Sequence, residues 1–360
     1  MRTIPYLYPL GSNSLVTPYW GPQKVELFPP NILARIAQGQ RYVDLTAGGG
    51  GMIFHQARLG HPAHGNDQNP YAALGFSVIG DLQAMDFGGD WKQFHAQWAN
   101  SFHPEELPAT PGYIVERWPY TSSTGPIPNV SLETATYMDS LFGLNQPAIT
   151  YSLVRAILGT FTFRSLAWDR RTSDDPPTAG TEVSPERVWQ KTGRALYRVM
   201  SYLVTNPASV TGSNLDALEA ARTVVRPGDV VYIDPAWPWG TEELAAPADK
   251  LNPYRFLNET IGSLVLQRPW APTTSFWMAS DEARIYADLQ AWISASFESG
   301  ASAFILSTQG TNAPLPRELY KTFGITPTVV TAPSVTRSGS KTFTEWFGVL
   351  ENPQRPSGSL

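Results

Sequence analysis

The sequence predicts an α/β protein: a mostly parallel sheet with helices on both faces, together with an inserted, largely helical domain. Two observations predict the sheet. Short apolar runs typical of buried strands alternate with segments that have the apolar spacing of helices, and tight turns directly follow two of these runs. A third observation, a long middle stretch in which the alternation fades, predicts the insertion.

The first elements of the sheet lie near the amino terminus. Tyr42 to Ala47 is typical of a short buried strand, Gly48 to Gly51 of a tight turn, and Met52 to Leu59 of a helix. Ala63 to Asp67 is a candidate second strand of weak β-propensity. Together they predict a strand-turn-helix-strand unit.

A second set of elements lies towards the carboxyl terminus. Asp229 to Ile233 is typical of a buried strand that runs into Asp234-Pro235. Residues 281–299 have the pattern of a helix, and Ala303 to Ser307 that of another strand. Strands separated by helices favour a parallel sheet covered on both faces.

The middle of the chain differs from both ends. Residues 86–210 are rich in aromatic side chains and proline-rich joints and contain two candidate helices. We therefore expect residues 1–85 and 211–352 to form one α/β domain and 86–210 to be inserted into it. The tail, 353–360, is predicted to be disordered.

Composition excludes several classes of function. The chain has no cysteine, which removes disulfides, thiolate metal sites and cysteine nucleophiles, including the nucleophile of cytosine-C5 methylation. No apolar run approaches the roughly 20 residues that span a bilayer, and the first residues lack a signal-peptide pattern, so we expect a cytoplasmic protein without a membrane partner. The net charge of −5 argues against nonspecific coating of nucleic acid, but a local basic surface can still bind phosphates.

A glycine turn after the first strand is a candidate cofactor site. Gly48 to Gly51 would let the backbone approach a nucleotide-type ligand closely, beside the N–H groups of a helix start. Asp67 lies 23 residues after Asp44, near the offset of about 20 at which an acidic side chain receives ribose hydroxyls. A flexible loop is the alternative. A dinucleotide site is a further alternative, but Ile53 stands where G-x-G-x-x-G requires its third glycine.

Asp234, Pro235 and Trp237 are candidate catalytic residues at the end of a buried strand. The amino group of a nucleic-acid base is a poor nucleophile because its lone pair is delocalised into the ring. The Asp234 carboxylate and the Pro235 carbonyl could accept its two N–H bonds, and Trp237 offers a flat face to a flipped base. Alternatively, Asp-Pro only begins a turn and Trp237 fills the core.

These motifs, in this order, resemble the Dam-type, DPPY-motif family of S-adenosylmethionine-dependent DNA adenine methyltransferases. Pro18 to Lys24 resembles the opening P-x-W-x-G-G-K signature, Leu45 to Gly51 the F-x-G-G-G loop, and Asn66 to Asn69 the N-D-x-N motif. Tyr232 to Trp237 resembles Y-x-D-P-P-Y. Further similarities are Asn214 to Leu218, Ile305 to Ser307, and Arg337 through Asn352.

The resemblance implies a Rossmann-like, class I methyltransferase fold whose insertion is the target-recognition domain. It also implies double-stranded DNA as partner, bacterial or phage origin, and no metal; a monomer is favoured. The implied catalytic residues are Asp234, Pro235 and Trp237. The implied adenosylmethionine-binding residues are Trp20, Lys24, Asp44, Thr46, Ala47, Gly48, Gly49, Gly50, Asp67, Asn69 and Asp216.

The chain departs from the family pattern at three places. Pro22-Gln23 replaces the paired glycines, Ala236 the second proline, and Trp237 the usual tyrosine. A tryptophan keeps a stacking surface, but the larger ring leaves adenine less certain than an amino-group target. Cytosine N4, RNA adenine, transfer of another group from a modified cofactor, and a DNA-binding module that has lost catalysis therefore remain alternatives.

A basic stripe lies in the expected insertion. Ser184-Pro185 is a good helix start, and the four basic residues downstream are spaced to share one helical face: Arg187, Lys191, Arg194 and Arg198. Phosphate contact is the functional interpretation and a solvated face the alternative. His55, His61 and His64 match no metal-ligand spacing and are interpreted as surface or helix-end residues.

Overall fold

The computed structural model describes residues 28–37, 39–48, 50–83, 107, 112–117, 132–160, 184–193, 209–234, 261–270, 282–310, 318, 320–336 and 339–353. The chain divides into two compact units. The first comprises Met1–Gln68, Asn206–Lys250 and Thr273–Leu360, and the second comprises Asn69–Thr205 and Leu251–Pro272. The break therefore falls earlier than the residue 86 expected from the sequence, and the second unit includes a further segment.

The first unit contains a seven-stranded mixed sheet. Its strands are β1 (Tyr42–Asp44), β2 (Ala63–Asn66), β3 (Val210–Ser213), β4 (Val230–Ile233), β5 (Ala303–Gly310), β6 (Thr328–Thr336) and β7 (Gly339–Glu351). They lie in the order β3-β2-β1-β4-β5-β7-β6. The pairs among β1 to β5 are parallel, whereas β7 runs antiparallel to both of its neighbours. The expected α/β class with a mostly parallel sheet is confirmed.

Helices precede and separate the strands in the described residues. They include α1 (Pro30–Leu33), α2 (Gly51–Arg58), α3 (Pro70–Gln83), α4 (Tyr113–Arg117), α5 (Leu132–Gly143), α6 (Pro147–Thr160), α7 (185–193), α8 (Ala217–Thr223), α9 (261–266) and α10 (Glu282–Glu298). Among these described helices, none is long and apolar enough to cross a membrane.

The main core of the first unit lies between the sheet and helices α8 and α10. Alternate side chains of the central strands enter it, because successive residues of a strand point to opposite faces. Members of this core include Val43, Val231, Ile233, Phe304, Leu306, Ala220, Ala221, Ile285 and Leu289. Helix α2 joins β1 to β2 and packs against both strands.

The opposite face of the sheet is lined by aromatic rings. The rings of Tyr42 and Tyr232 stack with centroids 5.9 Å apart. Phe28 packs edge-on against Tyr232 at 6.1 Å and against Phe347 at 5.3 Å. All four residues are buried, so β1, β4 and β7 are joined on this face by aromatic packing as well as by the sheet.

The second unit is helical in its described residues. The rings of Tyr71 in α3 and Tyr151 in α6 stack with centroids 5.0 Å apart and planes at 17°. Asp139 of α5 accepts hydrogen bonds from the amides of Gly112, Ile114 and Val115 at 2.8–3.0 Å. The carboxylate therefore caps the amino end of α4 from a neighbouring helix, satisfying N–H groups that have no intrahelical partner.

Candidate active site

The candidate site lies at the carboxyl ends of β1, β2 and β4. Asp44 ends β1, Asp67 directly follows β2, and Asp234 directly follows β4. The sheet order reverses between the adjacent strands β1 and β4, which is the point where ligands bind in open parallel sheets. The structure thus brings the glycine loop, the acidic residue and the beginning of the Asp-Pro motif to one sheet edge.

The loop after β1 is held by its own hydrogen bonds. The amide of Thr46 donates to Oδ1 of Asp44 at 3.0 Å, and the amide of Ala47 donates to the carbonyl of Asn66 at 2.8 Å. Gly48 and Gly50 have φ values of 47° and 72°, a left-handed conformation that glycine adopts without a steric penalty. Gly50 is the N-cap of α2 and has no side chain that could cap the helix start.

Asp67 is joined directly to this loop. Its Oδ2 accepts a hydrogen bond from the amide of Gly48 at 2.7 Å, and the residue is half-buried. A carboxylate that accepts an amide hydrogen bond forms a charge-assisted contact, stronger than a neutral one. Asp67 therefore orders the glycine loop in addition to the cofactor role that the sequence predicts for it.

Thr46 connects the loop to the residue that follows β4. The amide of Asp234 donates a hydrogen bond to Oγ1 of Thr46 at 2.9 Å. One residue earlier in the loop, the amide of Leu45 donates to the carbonyl of Tyr232 at 3.0 Å and extends the β1–β4 pairing. The resemblance assigned Thr46 to the cofactor, whereas its side chain contacts the backbone of Asp234.

Two buried tyrosines lie beside the carboxylates. Burial raises the pKa of Tyr42 well above its ordinary value, and the charges of Asp44 and Asp234 raise it further. Burial likewise raises the pKa of Tyr232, and Asp234 is the largest charge acting on it. Both phenols therefore stay protonated and uncharged at neutral pH, close to the carboxylates of Asp44 and Asp234.

Asn66 is a site residue whose role the sequence did not reveal. Its side-chain amide donates to the carbonyls of Leu45 and Leu215 at 3.0 and 3.1 Å. Its Oδ1 accepts from Oγ of Ser213 at 2.7 Å and from the amide of Leu215 at 3.1 Å. The residue is buried, and these four bonds join the segments that follow β1, β2 and β3.

Asp216 is the N-cap of α8. Its Oδ1 accepts from the amide of Leu218 at 2.9 Å, and its Oδ2 accepts from Nε2 of Gln68 at 3.3 Å. Nδ2 of Asn214 contacts the carbonyls of Asp67 and Gln68 at 2.8 and 2.7 Å. Asp216, which the resemblance assigns to the cofactor, thus has a structural role as a cap and contacts the segment after Asp67.

Ser307 and Glu345 form a buried polar pair on the neighbouring strands. Oγ of Ser307 lies 2.6 Å from Oε1 of Glu345, and both residues are fully buried. The β4–β5 register pairs Ile233 with Leu306, so Ser307 is level with Asp234 in the sheet. Both residues lie in stretches that resemble later elements of the family, Ile305 to Ser307 and Arg337 through Asn352, but the sequence does not indicate that they pair.

The other predicted site residues lie elsewhere or outside the described residues. Asn69 begins the second unit, where its Oδ1 accepts from the amide of Tyr71 at 2.9 Å. Helix α7 starts at 185 as predicted, with Arg187 exposed and Lys191 half-buried. Seven predicted residues lie outside the described part of the chain: Trp20, Lys24, Gly49, Arg194, Arg198, Pro235 and Trp237.

Of the histidines that the sequence interprets as surface or helix-end residues, two are not at the surface, and His64 lies within β2. His61 and His64 are buried. The ring nitrogens of His64 lie 2.7 Å from Oγ1 of Thr211 and 2.9 Å from Oγ of Ser213, which are both on β3. Burial lowers the pKa of His64 to about 4, and the positive charges of Arg41 and Arg226 act in the same direction. Within the described ranges, no group of three or more His, Asp or Glu side chains could hold a metal ion.

Comparison with known proteins adds no family to this description. No protein-family model matches the chain, and no curated protein matches it either. The assignment of a function therefore depends on the residues at the sheet edge and on their hydrogen bonds.

Proposed function

We propose that the protein is a DNA methyltransferase that transfers a methyl group from S-adenosylmethionine to the exocyclic N6 amine of a flipped adenine. One observation carries the proposal: hydrogen bonds join three separate motifs at the switch point of the sheet. Gly48 donates to Asp67, and Asp234 donates to Thr46, so the glycine loop contacts both the acidic motif and the Asp-Pro motif. A methyl transferase needs its cofactor loop and its catalytic carboxylate at one place.

The residues at the edge fit adenosylmethionine. Gly48 and Gly50 have left-handed backbones without side chains, beside a helix start whose N-cap offers no side-chain cap. Asp67 is a half-buried carboxylate directly after β2, the place and side-chain type suited to ribose hydroxyls. When bound, the cofactor supplies an electrophilic methyl group.

Asp234 has the central chemical role in this proposal. Its carboxylate accepts a hydrogen bond from an N–H of the target amine. This bond directs the nitrogen lone pair away from the ring and towards the methyl donor. The Thr46 bond fixes the backbone at Asp234, and the neutral phenol of Tyr232 lies nearby. Pro235 and Trp237, which lie outside the described residues, are proposed to supply the second acceptor and the stacking surface.

The sheet supports the class I methyltransferase fold that the resemblance implies. Strands β1 to β5 follow the order 3-2-1-4-5 that is common to nucleotide-binding α/β proteins. Dinucleotide-binding sheets continue with a parallel sixth strand, whereas here the reversed strand β7 lies between β5 and β6. The order 3-2-1-4-5-7-6 therefore favours the methyltransferase reading over the dinucleotide alternative.

The second unit is proposed to hold the DNA. Its described residues are helical, and α7 begins at the predicted Ser184-Pro185 start, where the amide of Arg187 contacts Oγ of Ser184 at 3.3 Å. Val188 is buried while Arg187 is exposed, as expected for a helix with one inward face. Arg187 and Lys191 are four residues apart and can contact successive phosphates of a duplex.

Mass spectrometry of nucleosides tests the proposal. Duplex DNA of mixed sequence is incubated with the protein and isotope-labelled adenosylmethionine, digested to nucleosides and analysed. We expect labelled N6-methyl-2′-deoxyadenosine with the wild type and no labelled nucleoside with the Asp234→Ala variant. Labelled N4-methylcytosine, or label only in an RNA substrate, would replace the adenine assignment. DNA binding without any transfer would indicate a module that has lost catalysis.

A further inference from the structure

Thr46 lies at the centre of a short chain of hydrogen bonds between two carboxylate residues. Its amide donates to Oδ1 of Asp44 at 3.0 Å, and its hydroxyl oxygen accepts from the amide of Asp234 at 2.9 Å. Asp44 ends β1 and Asp234 follows β4. These hydrogen bonds therefore connect the ends of two paired strands, at the point where the sheet order reverses. The backbone at Asp234 is therefore fixed from the glycine loop.

We propose that Thr46 is a positioning residue for Asp234 rather than a cofactor-binding residue; this inference rests on the proposed function. The hydroxyl oxygen of Thr46 contacts the catalytic strand, and its amide closes the turn at Asp44. Both groups of Thr46 thus contact other parts of the protein. In the proposed site, the backbone that approaches the ligand is that of Gly48 and Gly50, whose φ values are positive. Thr46 acts on the reaction only through the place of Asp234.

The physical consequence is a coupling between cofactor loop and base pocket. The same loop holds Gly48, whose amide is bound to Asp67. A shift of the loop is therefore transmitted to Asp67 through Gly48 and to Asp234 through Thr46. Since a misplacement of about 1 Å at reacting atoms can cost about 100-fold in rate, the Thr46 bond is expected to matter for turnover more than for cofactor affinity.

Three variants of Thr46 separate the hydroxyl from the shape of the side chain. Thr46→Val keeps the shape and removes the acceptor, Thr46→Ala removes both without crowding, and Thr46→Ser keeps the acceptor. The matched control is Thr223→Val at an exposed position of α8, where the hydroxyl donates to the carbonyl of Glu219. Each variant is measured for single-turnover methyl transfer to DNA, for calorimetric affinity towards S-adenosylhomocysteine, and for thermal unfolding.

We expect the rate of transfer to fall by about 10- to 100-fold in Thr46→Val and Thr46→Ala. Affinity for S-adenosylhomocysteine should stay within about twofold in both, because neither change touches a group that holds the cofactor. Thr46→Ser should recover most of the rate, and Thr223→Val should match the wild type. The Ala variant provides the measurement if Val does not fold.

Several results would overturn the inference. A parallel loss of affinity and rate would return Thr46 to the cofactor site. An unchanged rate in both Val and Ala variants would show that the bond is dispensable, and a Ser variant as slow as Ala would show that the hydroxyl is not the cause. Failure of the proposed function is distinct: the wild type itself would then transfer no methyl group, and the inference would fall with it.

Discussion

The amide of Gly48 donates a hydrogen bond of 2.7 Å to Oδ2 of Asp67, across 19 residues of sequence. This contact makes the loop after β1 and the end of β2 one structural unit. Gly48 has a φ of 47°, a left-handed conformation that glycine adopts without a steric penalty. A ligand held by Asp67 is thereby fixed relative to the start of α2.

Two substitutions of Asp67 should lower the affinity of the proposed cofactor site to different extents. Asp67→Asn keeps an acceptor for Gly48 but removes the charge, and Asp67→Ala removes both. We expect Asp67→Ala to reduce the affinity for S-adenosylhomocysteine by about 1–3 kcal/mol, the range for losing a hydrogen-bonded charged partner, and Asp67→Asn to reduce it less. Calorimetric titration measures both, with Glu219→Gln on the exposed face of α8 as control. Unchanged affinity in a folded Asp67→Ala variant would move the ribose site elsewhere.

Asn66 should be a stability determinant rather than a ligand-binding residue. In Asn66→Asp, an oxygen replaces the amide nitrogen that donates to the carbonyls of Leu45 and Leu215. The unsatisfied buried groups should cost at least about 1–3 kcal/mol of unfolding free energy, and more while the new carboxyl is charged. Urea unfolding checks this, with Ser213→Ala as the comparison, which removes one donor to Asn66 and the contact of Oγ with the His64 ring. Equal stability of Asn66→Asp and the wild type would contradict the four-bond arrangement.

The sequence predicts the central strands well because their signal is local. Strands β1, β2, β4 and β5 and helices α2 and α10 lie where apolar runs and helical spacing place them. The first strand ends at Asp44 instead of continuing to Ala47. The reason is that the amide of Thr46 turns back to Asp44 and that of Ala47 reaches Asn66.

The edge strands carry no such signal. Strand β3 has one buried residue, Val210, and is otherwise small and polar. Strand β6 contains Pro333, which a strand tolerates at the edge of a sheet, where β6 lies. The role of Asn66 was equally hidden, because its partner Leu215 is 149 residues away and only the folded sheet brings them together.

His64 predicts an acid-sensitive fold. Burial, with help from Arg41 and Arg226, lowers the pKa of His64 to about 4 in the folded protein, against about 6.5 in the unfolded chain. The unfolded state therefore binds the proton more readily. The contribution of His64 to the free energy of unfolding keeps its full value above about pH 6.5 and decreases as the pH falls towards 4. Between pH 7.5 and 5 the loss should be about 2 kcal/mol of unfolding free energy.

Urea unfolding at several pH values measures this loss. His64→Gln removes the titrating ring, so its unfolding free energy should depend less steeply on pH over the same range. His61→Gln is the comparison variant: burial lowers the pKa of His61 as well, so this variant loses the His61 contribution and keeps that of His64, whose pKa is the one lowered to about 4. The same slope in His64→Gln and the wild type would show that another group causes the acid sensitivity.

Asp234 should be required for turnover and dispensable for cofactor binding. The bond to Thr46 is made by the backbone amide of Asp234, which both Asp234→Ala and Asp234→Asn retain. We therefore expect transfer to be abolished in the Ala variant while the affinity for S-adenosylhomocysteine stays near that of the wild type. Rapid-quench assays and calorimetry separate the two. Near-normal activity of Asp234→Ala would place the active site elsewhere.

Helix α7 supplies the prediction about DNA. If Arg187 and Lys191 contact phosphates, replacing both by Ala should weaken binding to all duplexes alike, because phosphate contacts carry no base information. Counterion release also fixes the salt dependence: each lost contact should reduce the slope of log affinity against log salt by about 0.9. Binding isotherms at several salt concentrations measure both effects.

The control removes the same amount of charge from the first unit: Arg222 and Arg226, which are both exposed, are replaced together by Ala. An unchanged slope in the α7 variant would show a solvated face, whereas an altered preference among sequences with the slope intact would make α7 a base-reading helix.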